Sequence, residues 1–192
     1  MITVTRIGAR LLAAVLGGAL SSGCVHLERY PHSWEPVHSG TATDCSAVAA
    51  TYANEGENSS GQRVLLAAWI KPRQNRTAAE QSAFENDLGK AQTVQLRLAA
   101  NVLTIVASGQ NIHREWSLDS SRHEFKCKHG VIRISSYEVA NDIVFGVAMG
   151  SDDLIRVGDH LVIRSRGGGV GFAFIFPVAG YGRSWGRFKV ID

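Results

Sequence analysis

The chain has 192 residues, 45% of them hydrophobic and 19% charged, and a formal net charge of +3. That length suits one domain with a sizeable core, and the composition excludes wholesale disorder. Two of the positive charges, Arg6 and Arg10, sit in an N-terminal leader, and subtracting two from +3 leaves +1. A chain so balanced lacks the basic footprint that phosphate contacts demand, which excludes nucleic acid as a partner.

The leader comes first. Arg6 and Arg10 are the only charges before the uncharged run Leu11 to Leu20. The run is far shorter than the roughly 20 residues of a membrane-spanning helix, and Gly17-Gly18 weakens it further. A basic segment followed by a short apolar one reads as a cleavable signal peptide over residues 1–23. Next stands Leu20-Ser21-Ser22-Gly23-Cys24, which resembles the bacterial lipobox, with small residues before an obligatory cysteine. Leu20 lies one place earlier than the favoured position, which Ser21 occupies. The resemblance implies that Cys24 becomes the mature N-terminus, carrying a diacylglyceryl thioether and usually an N-acyl chain. Two or three chains, at about 0.8 kcal/mol per buried methylene, make such attachment effectively permanent. Val25 in place of Asp after the cysteine implies, by the sorting rule of enteric bacteria, an outer-membrane protein facing the periplasm. The plainer alternative is an ordinary secretory signal cut near a cysteine.

Residues 24–43 contain Pro31, Pro36, three histidines and no apolar periodicity, and read as a flexible tether. His26, His32 and His38 are spaced by six, which invites a metal reading, but Pro31 and Pro36 interrupt any strand that would gather them on one face.

From Asp44 the pattern becomes that of one β-rich domain, residues 44–192, with short apolar runs bounded by Gly, Asn, Asp or Ser. Val64 to Ile70 is apolar throughout and fits a strand or a buried helical turn equally. Thr77-Ala-Ala-Glu80 is a capping box that starts a helix, and Gly89 is the expected end. Val94, Leu96 and Leu98 alternate with polar residues, and Val102 to Val106 follows after Asn101, which predicts a hairpin. Further strands are expected at Ile112 to Leu118, Glu124 to Lys128, Val131 to Tyr137, Ile143 to Met149, Leu154 to Val157, His160 to Arg164, Val170 to Val178 and Trp185 to Ile191. Gly158-Asp159 fits a tight turn, with glycine at the position that takes positive φ. Gly167-Gly-Gly169 reads as a loop, and Phe172, Phe174 and Phe176 alternate as one core-facing sheet face. The expected fold is mainly β: an antiparallel meander forming a bent sheet or a lipocalin-like barrel, with one or two short helices.

With Cys24 lipidated, Cys45 and Cys127 remain in a chain exported to an oxidising compartment, where they are expected to pair. Their Cα atoms should then lie within about 4.4 to 6.8 Å, with the first strand of the domain, near Tyr52, close to the strand holding Phe125. The competing reading places His123, Cys127 and His129 on one strand face as zinc ligands.

Familiar catalytic signatures are missing. No phosphate loop is present, the G-x-S-x-G string Gly182-Arg183-Ser184-Trp185-Gly186 runs into the strand expected from Trp185 and not into the strand-to-helix turn of a nucleophile elbow, Phe174 stands where a dinucleotide loop would need its third glycine, and His123-Glu124-x-x-Cys127 lacks the second histidine of a zinc protease. The order lipobox, tether, Cys45, Thr51-Tyr52-Ala-Asn54-Glu-Gly56, then Glu124-Phe125-x-Cys127-x-x-Gly130, Val178-Ala-Gly180 and Trp185-x-Arg187-Phe188 resembles a group of uncharacterised proteobacterial lipoproteins. The resemblance covers most of the mature chain, implies a compact β-rich envelope domain, and marks Lys71 to Lys90 as an insertion. The expected role is therefore non-enzymatic: a lipid-anchored envelope protein, with no cofactor or metal, that serves structure or contacts another envelope protein or lipid. The alternatives are a lipocalin-like barrel for a small apolar ligand or lipid, and an envelope enzyme. An exposed apolar patch over a filled core would favour the first reading, an internal apolar cavity the second, and a cleft converging on histidines and acids the third. From Arg156 onward six basic residues face only Asp159 and Asp192, an asymmetry that suits anionic lipid or lipopolysaccharide surfaces. The simpler reading of those charges is a solvated strand face.

Overall fold

The structure, a computed structural model, describes residues 24–37, 44–71, 78–141, 144–173 and 176–191. The leader, His38, Thr77, Ile143 and Phe174 lie outside the described residues. Two open antiparallel sheets face one another. The smaller has the order β2-β5-β6-β7, from β2 (Thr51–Ala53), β5 (Thr93–Ala99), β6 (Val102–Gly109) and β7 (Ile112–Asp119). The larger runs β4-β3-β12-β11-β10-β9-β8. Its strands are β3 (Glu55–Asn58), β4 (Arg63–Leu65), β8 (Phe125–Lys128), β9 (Val131–Asn141), β10 (Val144–Val157), β11 (His160–Ala173) and β12 (Phe176–Lys189). β1 (Cys24–Leu27) lies parallel to β12 along the same edge that β3 uses further on. The bent-sheet expectation holds, and the barrel alternative does not, because neither sheet closes on itself.

Alternation builds the core. In β5 only Val94 and Leu96 are fully buried, and across the interface Ile132, Leu154, Leu161, Ile163 and Phe188 of the large sheet meet Leu103, Ile105 and Trp116 of the small one. Two helices close one side, α1 (Leu66–Trp69) and α2 (Ala78–Lys90), through Leu66, Ala67 and Leu88. Val64 to Ile70 is thus both of its sequence alternatives in succession, the end of a strand and then a helical turn.

Asn54 joins these pieces. It is fully buried, its amide nitrogen donates to the carbonyls of Leu88 and Ala91 (both 2.9 Å), and its amide oxygen accepts from Ala67 N–H (2.9 Å). It therefore satisfies backbone groups that the end of α2 and the start of α1 leave open.

Several boundaries differ from expectation. The strands expected at 143–149 and 154–157 are one strand, β10, and Gly167-Gly-Gly169 is no loop but the middle of β11, paired with Ala148 to Gly150 on one side and Gly180 to Gly182 on the other. Glycine supplies backbone hydrogen bonds to a ladder without any side-chain signal, so the run reads as a break when it is not one. The expected strand from Val170 to Val178 straddles the end of β11 and the start of β12. Gly89 lies inside α2, which ends at Lys90. The turn at Gly158-Asp159 is as expected, with Val157 opposite His160 and Gly158 at φ +53°.

Candidate membrane-facing site

β10, β11 and β12 are 14 residues long, whereas the longest strands of the small sheet have 8. At about 3.3 Å per residue the difference is roughly 20 Å, so the large sheet overhangs its partner layer. Residues directly opposite one another across a ladder share a face, which makes the overhang readable row by row.

On the outer face, away from the small sheet, the part nearest the core is covered by residues 28–37. Trp34 and Trp185 are buried with Val162, Tyr30 packs edge-on against both tryptophans (5.7 and 4.9 Å between centroids), and Arg187 lies over the Trp34 ring at 4.9 Å. Glu28 fastens the segment: its carboxylate accepts from Ser59 Oγ and from Trp185 N–H, and its carbonyl accepts from Arg183 Nε (3.1 Å). Residues 24–37 are therefore docked, not a free tether as expected. Two aromatic anchors and one carboxylate hold the segment, and such a segment needs no periodicity.

The next rows are ionic. Asp153 is fully buried, with Arg133 Nε at 2.6 Å, Arg164 at 2.5 Å and Arg166 at 2.9 Å. Burial works against its charge, but hydrogen bonds from Arg133 and Arg164 and the charge of Arg166 outweigh it and hold the carboxyl below its ordinary range. Arg166 stands opposite Arg183, which stands opposite Leu27. Three guanidiniums on one carboxylate leave two positive charges in excess.

Beyond the arginines the face turns apolar. Tyr137, Met149, Gly168, Tyr181 and Val25 form one continuous row across five strands, and Val147, Val170 and Ala179 form the next. Tyr137, Met149, Val170, Tyr181 and Val25 are 46 to 67% exposed, and Phe172, one row further out, is 55% exposed. Phe172 is thus not core, contrary to the sequence reading. It lies on the outer face, turned away from the small sheet and beyond the stretch that residues 28–37 cover. Gly168 and Gly169 floor a groove of about 400 Å³ walled by Val25, Val147, Met149 and Tyr181. Cys24, a free and exposed cysteine opposite Gly180, is at the lip of this groove.

Cys45 and Cys127 are joined, with Cα atoms 6.0 Å apart. The bond crosses the two layers: Cys45 precedes the turn into β2 of the small sheet, and Cys127 sits on the edge strand β8 of the large one. Tyr52 and Phe125 are in one core but on strands of different sheets, close without being paired. Cys127 is committed to the disulfide, and His123 and His129 occupy left-handed turn positions (φ 62° and 52°). Among the described residues no cluster of three metal-ligating side chains occurs, and His26 makes its contact with Glu28 at 3.3 Å.

The motifs behind the family resemblance have structural content. Tyr52 is buried and donates to the Val48 carbonyl (2.7 Å), Asn54 ties the helices, and Gly56 leaves room for Phe188. Glu124 accepts from Asp119 N–H (2.6 Å), and Gly130 takes φ +73°. No protein-family model matches the chain, and no curated protein is significantly similar to it.

Proposed function

We propose that this protein is a bacterial envelope lipoprotein, anchored through acyl chains on Cys24, whose domain has a non-enzymatic structural or interaction role at the membrane. The lipobox resemblance supports the anchor. The observation that carries the rest is the exposed apolar face beside Cys24, on the overhang beyond the packed core: a contact surface at the very end of the domain where the lipid would be attached. By the sorting rule at Val25, the proposed membrane is the outer one, with the domain in the periplasm. Metabolic labelling with a fatty-acid probe, followed by membrane fractionation, tests the reading. Wild type is expected to carry the label and to fractionate with outer membrane, and Cys24→Ala is expected to lose the label. Labelling that survives the substitution refutes the anchor.

A further inference from the structure

We infer that the overhanging outer face of β9–β12 lies against the bilayer itself, with the apolar rows at Met149, Val170 and Phe172 in the acyl-chain boundary and the arginine rows at the level of anionic headgroups. The inference deepens the reading above and rests on it for the position of the anchor.

Three independent features point to a lipid surface as occupant. The first is order along the strands. From the core outward the same face changes from the Asp153 ion cluster, through Arg166 and Arg183, to a row bearing Tyr137 and Tyr181, and then to purely apolar Val147, Val170 and Phe172. A bilayer presents the complementary gradient, with anionic headgroups, then an interface where tyrosine is at home, then hydrocarbon. The second is charge. Arg133, Arg164 and Arg166 share the one carboxylate of Asp153 and stay 31 to 47% exposed, Arg183 stands opposite Arg166, and each arginine near an anionic surface strengthens attraction about fivefold. The third is position. β1 runs parallel to β12, so the chain enters from the distal end, and Cys24 sits opposite Gly180 within one residue of the tyrosine row. An acyl chain attached there starts at the depth where the apolar rows begin.

The test uses mature protein purified from membranes. With Cys24 lipidated and Cys45 and Cys127 oxidised, a single introduced cysteine is the one free thiol. Met149→Cys, Phe172→Cys and, as a control on the small sheet, Glu115→Cys are each labelled with an environment-sensitive fluorophore. The labelled proteins are reconstituted in vesicles of phosphatidylethanolamine with phosphatidylglycerol, or of phosphatidylcholine alone. Lipids carrying a spin-label quencher on the acyl chain read depth, and aqueous iodide reads exposure.

Labels at 149 and 172 are expected to be quenched from the acyl chains and shielded from iodide in the anionic vesicles. The shielding should weaken in phosphatidylcholine and in an Arg183→Gln background, while the label at 115 stays open to iodide throughout. Iodide access at 149 and 172 equal to that at 115 overturns the inference. Shielding from iodide without acyl-chain quenching also overturns it, since a protein or a second copy then covers the face. The mass of the N-terminal peptide is measured on the same samples, which separates the two ideas. A lipidated Cys24 with open labels leaves the anchor standing and removes the surface contact, whereas shielded labels on a chain without the lipid do the reverse.

Discussion

Reducing the Cys45–Cys127 bond should cost a measurable and predictable amount of stability. The bond closes a loop of 82 residues, for which the chain-entropy relation gives about 4.5 kcal/mol at 25 °C. Residual contacts in the unfolded chain lower that figure, so we expect a loss of about 2 to 4 kcal/mol. For a domain near 150 residues, each kcal/mol moves the melting temperature by about 2 to 4 °C, which places the reduced protein roughly 5 to 15 °C below the oxidised one. Cys127 is exposed, so a reductant reaches the bond without unfolding the core. The comparison is best made on one sequence, oxidised against reduced, with Cys45→Ala plus Cys127→Ala as a second variant that adds a cavity where the buried Cys45 side chain was. Urea denaturation of each form gives both midpoint and slope. The reduced form should show a lower midpoint and a steeper slope, because an unconstrained unfolded chain exposes more surface. A reduced protein that melts within a degree of the oxidised one, with an unchanged slope, would refute the reasoning and place the cross-layer contact's stability in packing alone.

Asp153→Asn should destabilise the domain by about 2 to 3 kcal/mol, the low end for breaking a buried ion pair, because its three arginines are partly exposed and regain water. The folded carboxyl is held below an unfolded value near 3.9, so its contribution is complete above that value and is lost as pH falls through the folded one. Urea midpoints should therefore show an added acid destabilisation below about pH 4 in wild type that Asp153→Asn lacks. Asn54→Ala removes three hydrogen bonds at 2.9 Å and leaves two carbonyls and one N–H buried without them, for an expected loss of about 3 kcal/mol or more by equilibrium unfolding. Gly186→Ala places a methyl 1.7 Å from the Trp69 ring, and the forced shift of that ring should cost about 1 to 3 kcal/mol and alter tryptophan fluorescence.

What the sequence revealed follows the range of its signals. The β5–β6 hairpin was legible because period-2 alternation is local, and the Gly158-Asp159 turn because positive φ selects glycine locally. The disulfide was legible from the cysteine count and the expected export, without geometry. Asn54 could be singled out in a motif but not understood, since its partners at Leu88 and Ala91 are more than thirty residues away. The docked segment 28–37 is not legible in sequence because its hold comes from Tyr30 packing on Trp185 and Trp34 sharing a buried cluster with it, contacts that no window of sequence contains. Phe172 reads as core in sequence because alternation reports a sheet face and cannot report which of the two faces a second layer covers.

The distribution of residues on the overhang argues further about what covers it. An extension that was merely unfinished core would leave apolar side chains on the inner face, toward the small sheet. The rows facing inward hold Ala148, Gly169 and Gly180, then Ser136, Gly150, Gly167 and Gly182, while the outward rows hold Val25, Met149, Val170 and Tyr181. Glycine inside a strand weakens it by roughly 0.5 to 1 kcal/mol relative to alanine, so a row of glycines is a cost to the isolated ribbon. It also leaves the inner face with little apolar surface to shield. Large apolar groups sorted onto one face and minimal ones onto the other suit a ribbon covered from one side only. A flat, extended covering on the side that carries Val25, next to Cys24, meets that condition, whereas a partner clasping the ribbon would find side chains to grip on only one of its two faces.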